Sequence, residues 1–328
     1  MRFSQSEKYE IIRLVEGSNV GINKTLQELG IHKRTFYNWY GRYRVGGLDA
    51  LGPKSQKSIN RRIWNKIPEE EKNQVVEIAL EKPQMSSREI ACYITDNNKR
   101  FISESSVYRI LKARGLITAP AFVLMSASDS FKDKTTRVNE MWQTDFTYFK
   151  IIGRGWYYLS TVLDDYSRYI VAWDLCASMS APDVKQTVNK AMMVAGLSKK
   201  SAPRLLSDNG SCYISSDLKE FLKTKGIDSI HGRPGHPQTQ GKIERYHRTM
   251  KNVIKLDNYY SPEELIRALE KFIYYYNYER YHESINNLRP CDVYSGNAEK
   301  ILKQRQKTKS ETIKQRRKRH LQEKLFTN

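Results

Sequence analysis

The sequence predicts a multidomain chain, with all-α units at the N-terminus and an α/β domain behind them. Two observations carry this expectation. Through residue 118, apolar residues recur at helical spacing behind repeated capping patterns. From Met141 onward the pattern becomes three β-rich runs with short turns, and then strands alternating with helices.

Ser4 and Glu7 form a capping-box pattern ahead of Ile11, Ile12, Leu14 and Val15. A second helix fits Lys24 to Leu29 and stops at Gly30. A third fits Lys33 to Tyr43, with Phe36, Trp39 and Tyr43 on one face. A short helix, a glycine turn and a helix rich in Lys, Arg, Thr and Asn make a helix-turn-helix pattern. Lys33, Arg34, Thr35, Tyr37 and Asn38 are then free to meet phosphates and bases. The plain alternative is a three-helix packing unit with a solvated polar face. A basic linker follows Gly52 and Pro53. Ser86 and Glu89 repeat the capping pattern, and Ser103 caps a helix with Val107, Ile110 and Leu111. This second helix-turn-helix-like unit is neutral overall, so a structural role fits it as well as DNA binding.

MWQTDFTYFKI, GWYYLSTVLDD and RYIVAWDL are the three β-rich runs. PRLLSDNG reads as a short strand and Ile227 to Ile230 as another. Helices fit Ser180 to Ala195, Asp217 to Lys225, Gln240 to Lys255 and Pro262 to Tyr278. The expected division is 1–52, a helix-turn-helix domain; 53–66, a basic linker; 67–118, the second unit; 119–137, a linker; 138–296, the α/β core; and 297–328, a basic tail, helical or disordered.

The net charge is +20 and the pI about 9.6, which points to a polyanionic partner. Residues 1–66 carry 13 Lys/Arg against 5 Asp/Glu, and residues 299–328 carry 11 against 3. Residues 67–118 are balanced and 119–298 nearly so. Basic arms around a balanced centre suit a chain that grips nucleic acid at its ends. No apolar run reaches membrane-spanning length, and MRFSQSEKYE lacks the apolar run of a secretory signal. The four cysteines stand too far apart for a metal knuckle or a disulfide framework. A cytoplasmic protein with reduced thiols is expected.

Asp145 stands in an apolar strand, where an acid is out of place without a partner cation. Asp208 ends a strand before an Asn-Gly turn, and Glu244 lies near the start of a helix. Three carboxylates from separate elements can hold two Mg²⁺ ions, which take oxygen ligands and serve an in-line phosphoryl displacement. Spacing alone proves little among 36 acids; context is more specific. WQTDFTYF, LSDNGSCY and HPQTQGKIERYHRTMK resemble the three signature segments of the retroviral-integrase-like core. NYERYHESINNLRPCDVY resembles the segment that ends this core in bacterial insertion-sequence transposases.

The resemblance covers about residues 138–296. It implies a ribonuclease-H-like fold, with Asp145, Asp208 and Glu244 holding two Mg²⁺ or Mn²⁺ ions. It also implies a transposase that cuts transposon ends and joins their 3′-hydroxyls to target double-stranded DNA. Retroviral integrases precede this core with a His/His/Cys/Cys zinc domain. Here His32 is the only histidine before 231 and Cys92 the only cysteine before 176, so a zinc site is not expected.

Arg233, Lys242, Arg245, Arg248 and Lys251, on or beside the Glu244 helix, are read as DNA contacts, against a solvated basic face. His236 is a candidate proton carrier, against a loop or DNA-backbone contact. Asp164 and Asp165 read as a hairpin turn rather than an acid pair. The tyrosines at 274, 275, 276 and 278 read as packing. The rival functions are a helix-turn-helix repressor without catalysis and a ribonuclease-H-type nuclease without strand transfer. A homo-oligomer, at least a dimer on DNA, is expected because one site cannot serve two ends.

Overall fold

A computed structural model describes residues 3–18, 21–52, 64–117, 135–231 and 240–325. Both expected linkers, 53–66 and 119–137, lie largely outside these residues. The chain divides into two compact units, Met1–Lys66 with Arg319–Asn328, and Ile67–Lys318.

The first unit contains α1 (Gln5–Gly17), α2 (Ile22–Glu28) and α3 (Lys33–Gly46). Ser4 and Glu7 make both halves of the capping box on α1. Gly30 takes the left-handed conformation (φ +64°) that turns the chain from α2 toward α3. Ile12, Leu26, Phe36, Trp39 and Leu51 form the core. That leaves Lys33, Arg34, Thr35, Tyr37 and Asn38 exposed along α3.

The second unit opens with α4 (Glu69–Glu81), α5 (Ser87–Asn97) and α6 (Glu104–Ala113), packed around Val75, Ile90, Ile94 and Val107. Ser86 and Glu89 again close a capping box. The sheet follows: β1 (Met141–Ile151), β2 (Gly155–Asp164), β3 (Ile170–Cys176), β4 (Arg204–Ser207) and β5 (Asp228–His231), in spatial order β3-β2-β1-β4-β5. β1, β2 and β3 pair antiparallel, whereas β4 and β5 run parallel to β1. The helices of this part are α7 (Ala181–Val194), α8 (Ser211–Ile214), α9 (Ser216–Lys225), α10 (Gly241–Ile254), α11 (Pro262–Tyr274) and α12 (Pro290–Tyr294). Alternate residues of the strands face opposite layers. Phe149, Ile151, Leu159 and Leu163 pack with Ile243, Tyr246, Met250 and Leu269 of α10 and α11. Trp142, Val162 and Ala172 pack with Val184, Val188, Leu218 and Leu222 of α7 and α9. This mixed sheet between helices is the ribonuclease-H-like core expected from the sequence.

The basic C-terminal stretch is one helix, α13 (Ala298–Leu325). It is docked by polar contacts rather than an apolar stripe. Arg316 Nη2 reaches Glu71 at 2.8 Å, with both side chains buried. Arg305 clasps Asp96 through two 2.7 Å hydrogen bonds, and Thr312 Oγ1 accepts the Phe101 N–H at 3.0 Å. Two cations of the basic tail are thus engaged inside the protein. Among the described residues no helix is long and apolar enough to cross a membrane.

Candidate active site

β4 pairs with β1 only through Met141, Trp142 and Gln143. Asp145 lies just past that pairing, where β1 loses its neighbour on this side. Its Oδ1 accepts the Phe146 N–H at 2.8 Å, and its Oδ2 stands 3.3 Å from Nδ1 of His247 on α10. Glu244 sits one turn before His247 on the same helix. Both acids line an open cleft of about 720 Å³ with His247, Arg248, Lys251 and Lys255. Burial raises the Glu244 pKa above the ordinary range, and the nearby Asp145 carboxylate adds to it, while Arg248 and His247 oppose. Two acids whose charges resist each other make a place that favours a cation.

Asp208 follows β4 directly. It is exposed, and its Oδ1 accepts the Gly210 N–H at 2.9 Å. A Cβ at Gly210 would stand 2.9 Å from that oxygen, so the turn is tight against the carboxylate. Tyr213 is buried, with its ring centre 6.0 Å from that of Phe146. Burial raises its pKa first, and Asp145 and Asp208 both add to the rise. Asp145 and Glu244 share the cleft, and Asp208 is not among the residues that line it. Among the described residues no three His, Cys, Asp or Glu groups stand close enough to hold a metal ion together.

Asp164 and Asp165 do more than turn the chain. Asp164 caps the β2–β3 turn, accepting from the Ser167 N–H and hydroxyl at 2.9 and 2.6 Å. Asp165 is buried and accepts from Gln143 Nε2 at 2.7 Å, Thr135 Oγ1 at 2.6 Å and Lys242 Nζ at 2.6 Å. The Ile243 N–H in turn donates to Gln143 Oε1 at 3.1 Å. This network pins the first turn of α10 to β1.

Lys242, read from sequence as a DNA contact, therefore has its ammonium engaged by Asp165. Arg245 and Arg248 are exposed, and Lys251 lines the cleft. Arg233 and His236 lie outside the described residues. Lys33, Arg34, Thr35 and Asn38 are on α3, in the other compact unit. Tyr276 is core, whereas Tyr274 and Tyr278 are stacked at the surface with ring centres 5.0 Å apart. Sequence reasoning missed His247, Gln143 and the inward role of Asp165. For His247 a signal existed: three residues after Glu244, it shares that residue's helical face.

Residues 135–237 and 225–290 match two models of the integrase core domain. Residues 35–111 match a homeodomain-like domain and 7–58 a helix-turn-helix domain. The chain is 26% identical over 285 residues to the transposase for transposon Tn552 of Staphylococcus aureus, covering 76% of this chain and 56% of that protein. It is 30% identical to the transposase for insertion sequence element IS904 of Lactococcus lactis, covering 48% of this chain and 62% of that one. Against the putative transposase for insertion sequence element IS150 of Escherichia coli the identity is 30%, with coverages of 48% and 56%. The chain thus spans a little over half the length of these relatives. It carries an integrase core domain together with helix-turn-helix domains, and it resembles the transposases of bacterial insertion sequences and transposons.

Proposed function

We propose that the chain is a DNA transposase that cuts at the ends of a mobile element and transfers the 3′-hydroxyl to target DNA. The carrying observation is the shared cleft of Asp145 and Glu244, flanked along α10 by Arg248, Lys251 and Lys255. Carboxylates beside cations suit a site that takes divalent metal on one side and phosphate on the other.

The residues fit such metals. Mg²⁺ is commonly held by one or two carboxylates, with water and substrate phosphate completing its shell. Asp145 and Glu244 supply oxygen donors in one cleft. Asp208 follows β4, the neighbour of β1, and is proposed as the third ligand on the resemblance of its LSDNGSCY segment to the integrase-like core. Two Mg²⁺ or Mn²⁺ ions bound there would activate the attacking water or 3′-hydroxyl and stabilise the leaving oxygen.

The chain's own residues do the positioning. Arg248 and Lys251 hold phosphates of the reacting strand, with exposed Arg245 on the same helix. His247 orients the Asp145 carboxylate. Gln143, Asp165 and Lys242 keep α10 registered against β1, so Glu244 stays aligned with Asp145. Lys33, Arg34, Thr35 and Asn38 on α3 read the element's end. A repressor would have no use for paired acids in a cation-lined cleft, and a nonspecific nuclease would have no use for end recognition. The working form on DNA is at least a dimer. The deciding assay is strand transfer with the element's own end DNA and Mg²⁺. Joined product is expected; end binding without cutting or joining would overturn the proposal.

A further inference from the structure

The cleft does not stop at the acids. It continues along α10 past Asn252 to Lys255 and Leu256, and there it meets an exposed aromatic pair that the reaction just described does not use. Tyr148 on β1 and Trp156 on β2 are 47% and 52% exposed. Their rings meet edge to face, with centres 5.3 Å apart. The register explains the meeting. Tyr148 pairs with Tyr158, and Lys150 pairs with Trp156. Tyr148 and Trp156 are therefore diagonal neighbours on one face of the hairpin. The opposite face is filled by Phe149 and Ile151, which belong to the core.

Two ammonium groups converge on the same ring. Lys251 Nζ lies 4.8 Å and Lys255 Nζ 5.8 Å from the Tyr148 ring centre. Among the described residues neither lysine forms an ion pair. Lys150 stands exposed beside Trp156. Burial and the charge of Lys255 both lower the Lys251 pKa. Clustered cations repel one another, and a phosphate between them would relieve that repulsion. Exposed ring faces bordered by such cations are what a single nucleic-acid strand requires: rings for the bases and ammonium groups for the backbone. A base inside a duplex already has both faces stacked and is not available to the rings. The same cluster of cations opposes the docking of a second copy of this basic chain on this face.

We propose that Tyr148 and Trp156, with Lys251 and Lys255, form a stacking platform that holds an unpaired nucleotide beside the Asp145–Glu244 cleft. The platform rests on the reading of the cleft as a DNA-processing site. It adds that the strand at that site is melted locally rather than held as intact duplex. Opening the duplex costs unstacking energy, and the stacked base returns part of it.

The test is a binding measurement on the full chain in EDTA, so that no cutting occurs. The probes are a blunt duplex, the same duplex with three mismatched terminal pairs, and a fluorescent oligo(dT) strand. The wild type should prefer the frayed duplex to the blunt one and should bind oligo(dT). Tyr148→Ala and Trp156→Ala should each weaken oligo(dT) binding at least about fivefold and erase the preference for frayed ends. Trp156→Phe, which keeps a ring, should retain most of both, and so guards against a folding artefact. A 5-iodouracil at the unpaired terminus should crosslink to the peptide containing Tyr148 or Trp156. Equal binding of blunt and frayed ends by the wild type would overturn the platform. So would alanine variants that keep the preference, or a change in self-association without any change in DNA binding. Because no step requires catalysis, failure here is distinct from failure of strand transfer with Mg²⁺.

Discussion

The carboxylate of Asp165 holds the ammonium of Lys242 at 2.6 Å, with Asp165 itself 1% exposed. Through this contact, and through Gln143, the helix bearing Glu244 is tied to the strand bearing Asp145. Asp165→Leu should therefore lower stability and also loosen the site. Breaking a fully buried pair costs about 3–5 kcal/mol; Lys242 keeps some contact with solvent, so about 2–3 kcal/mol is expected. The urea midpoint should fall while the slope stays constant. Asp165→Leu combined with Lys242→Met should recover part of the loss, because no charge is then left unpaired. A double variant no better than the single one would show that the pair is not the unit that matters.

Asp145→Asn, Asp208→Asn and Glu244→Gln should each abolish cutting and joining while leaving end binding largely intact. Under the proposed function the carboxylate charge serves the metal and α3 serves recognition. Near-wild-type strand transfer by any one of the three would remove that residue from the site.

His247 should act through Asp145. Replacing it with Phe keeps a ring in the buried position but removes the nitrogen 3.3 Å from Asp145 Oδ2. Partners that orient ligating groups change metal affinity by about 10–100-fold. The Mg²⁺ concentration for half-maximal cutting should rise, with activity partly restored at high Mg²⁺. An unchanged Mg²⁺ requirement would show that the contact does not position the carboxylate.

Stability should fall in acid because of His282. Burial, helped by Arg280, Arg168 and Arg88, lowers its pKa from 6.5 to about 3. Below about 6.5 the unfolded chain takes up a proton that the folded chain refuses, so stability declines as the pH drops toward 3. Taken to the end of that window the effect is of order ~4 kcal/mol. His282→Phe, which keeps an aromatic ring against Tyr276, should flatten this part of the pH–stability curve. An unaltered slope between pH 6.5 and 4 would assign the acid sensitivity elsewhere.

What the sequence revealed, and what it hid, follows from the range of the interactions. Asp145 stood out because an acid in an apolar strand is locally inconsistent. The helices and strands were legible because capping boxes and hydrophobic periodicity act within a few residues. Asp165 misled because its turn chemistry is local, whereas its bond to Lys242 joins residues 77 positions apart. The docking of α13 was hidden for the same reason. Arg305 meets Asp96 across 209 positions and Arg316 meets Glu71 across 245, by polar contacts that leave no apolar stripe to read.

That docking also determines how assembly should be tested. A chain with one Asp145–Glu244 cleft offers one site, while moving an element requires chemistry at two ends close together. One subunit's recognition helix should therefore serve a neighbour's acids. Separating the two roles requires a deletion that spares the catalytic unit. Removing residues 1–118 would strip α13 of Glu71, Asp96 and Phe101, and would leave Arg316, 7% exposed, without its carboxylate. Deletion of residues 1–66 stops at the boundary of the compact unit instead. The deleted protein, with its acids intact but no α3, should be inactive alone on element ends. The full chain carrying Asp208→Asn should bind ends but not cut them. Mixed on paired ends, the two should recover joining, because the second recruits the acids of the first. Recovery that also occurs when the deleted protein carries Glu244→Gln would expose contaminating activity. No recovery, together with joining by a wild-type complex that remains monomeric on DNA, would show that one subunit completes the reaction without a partner.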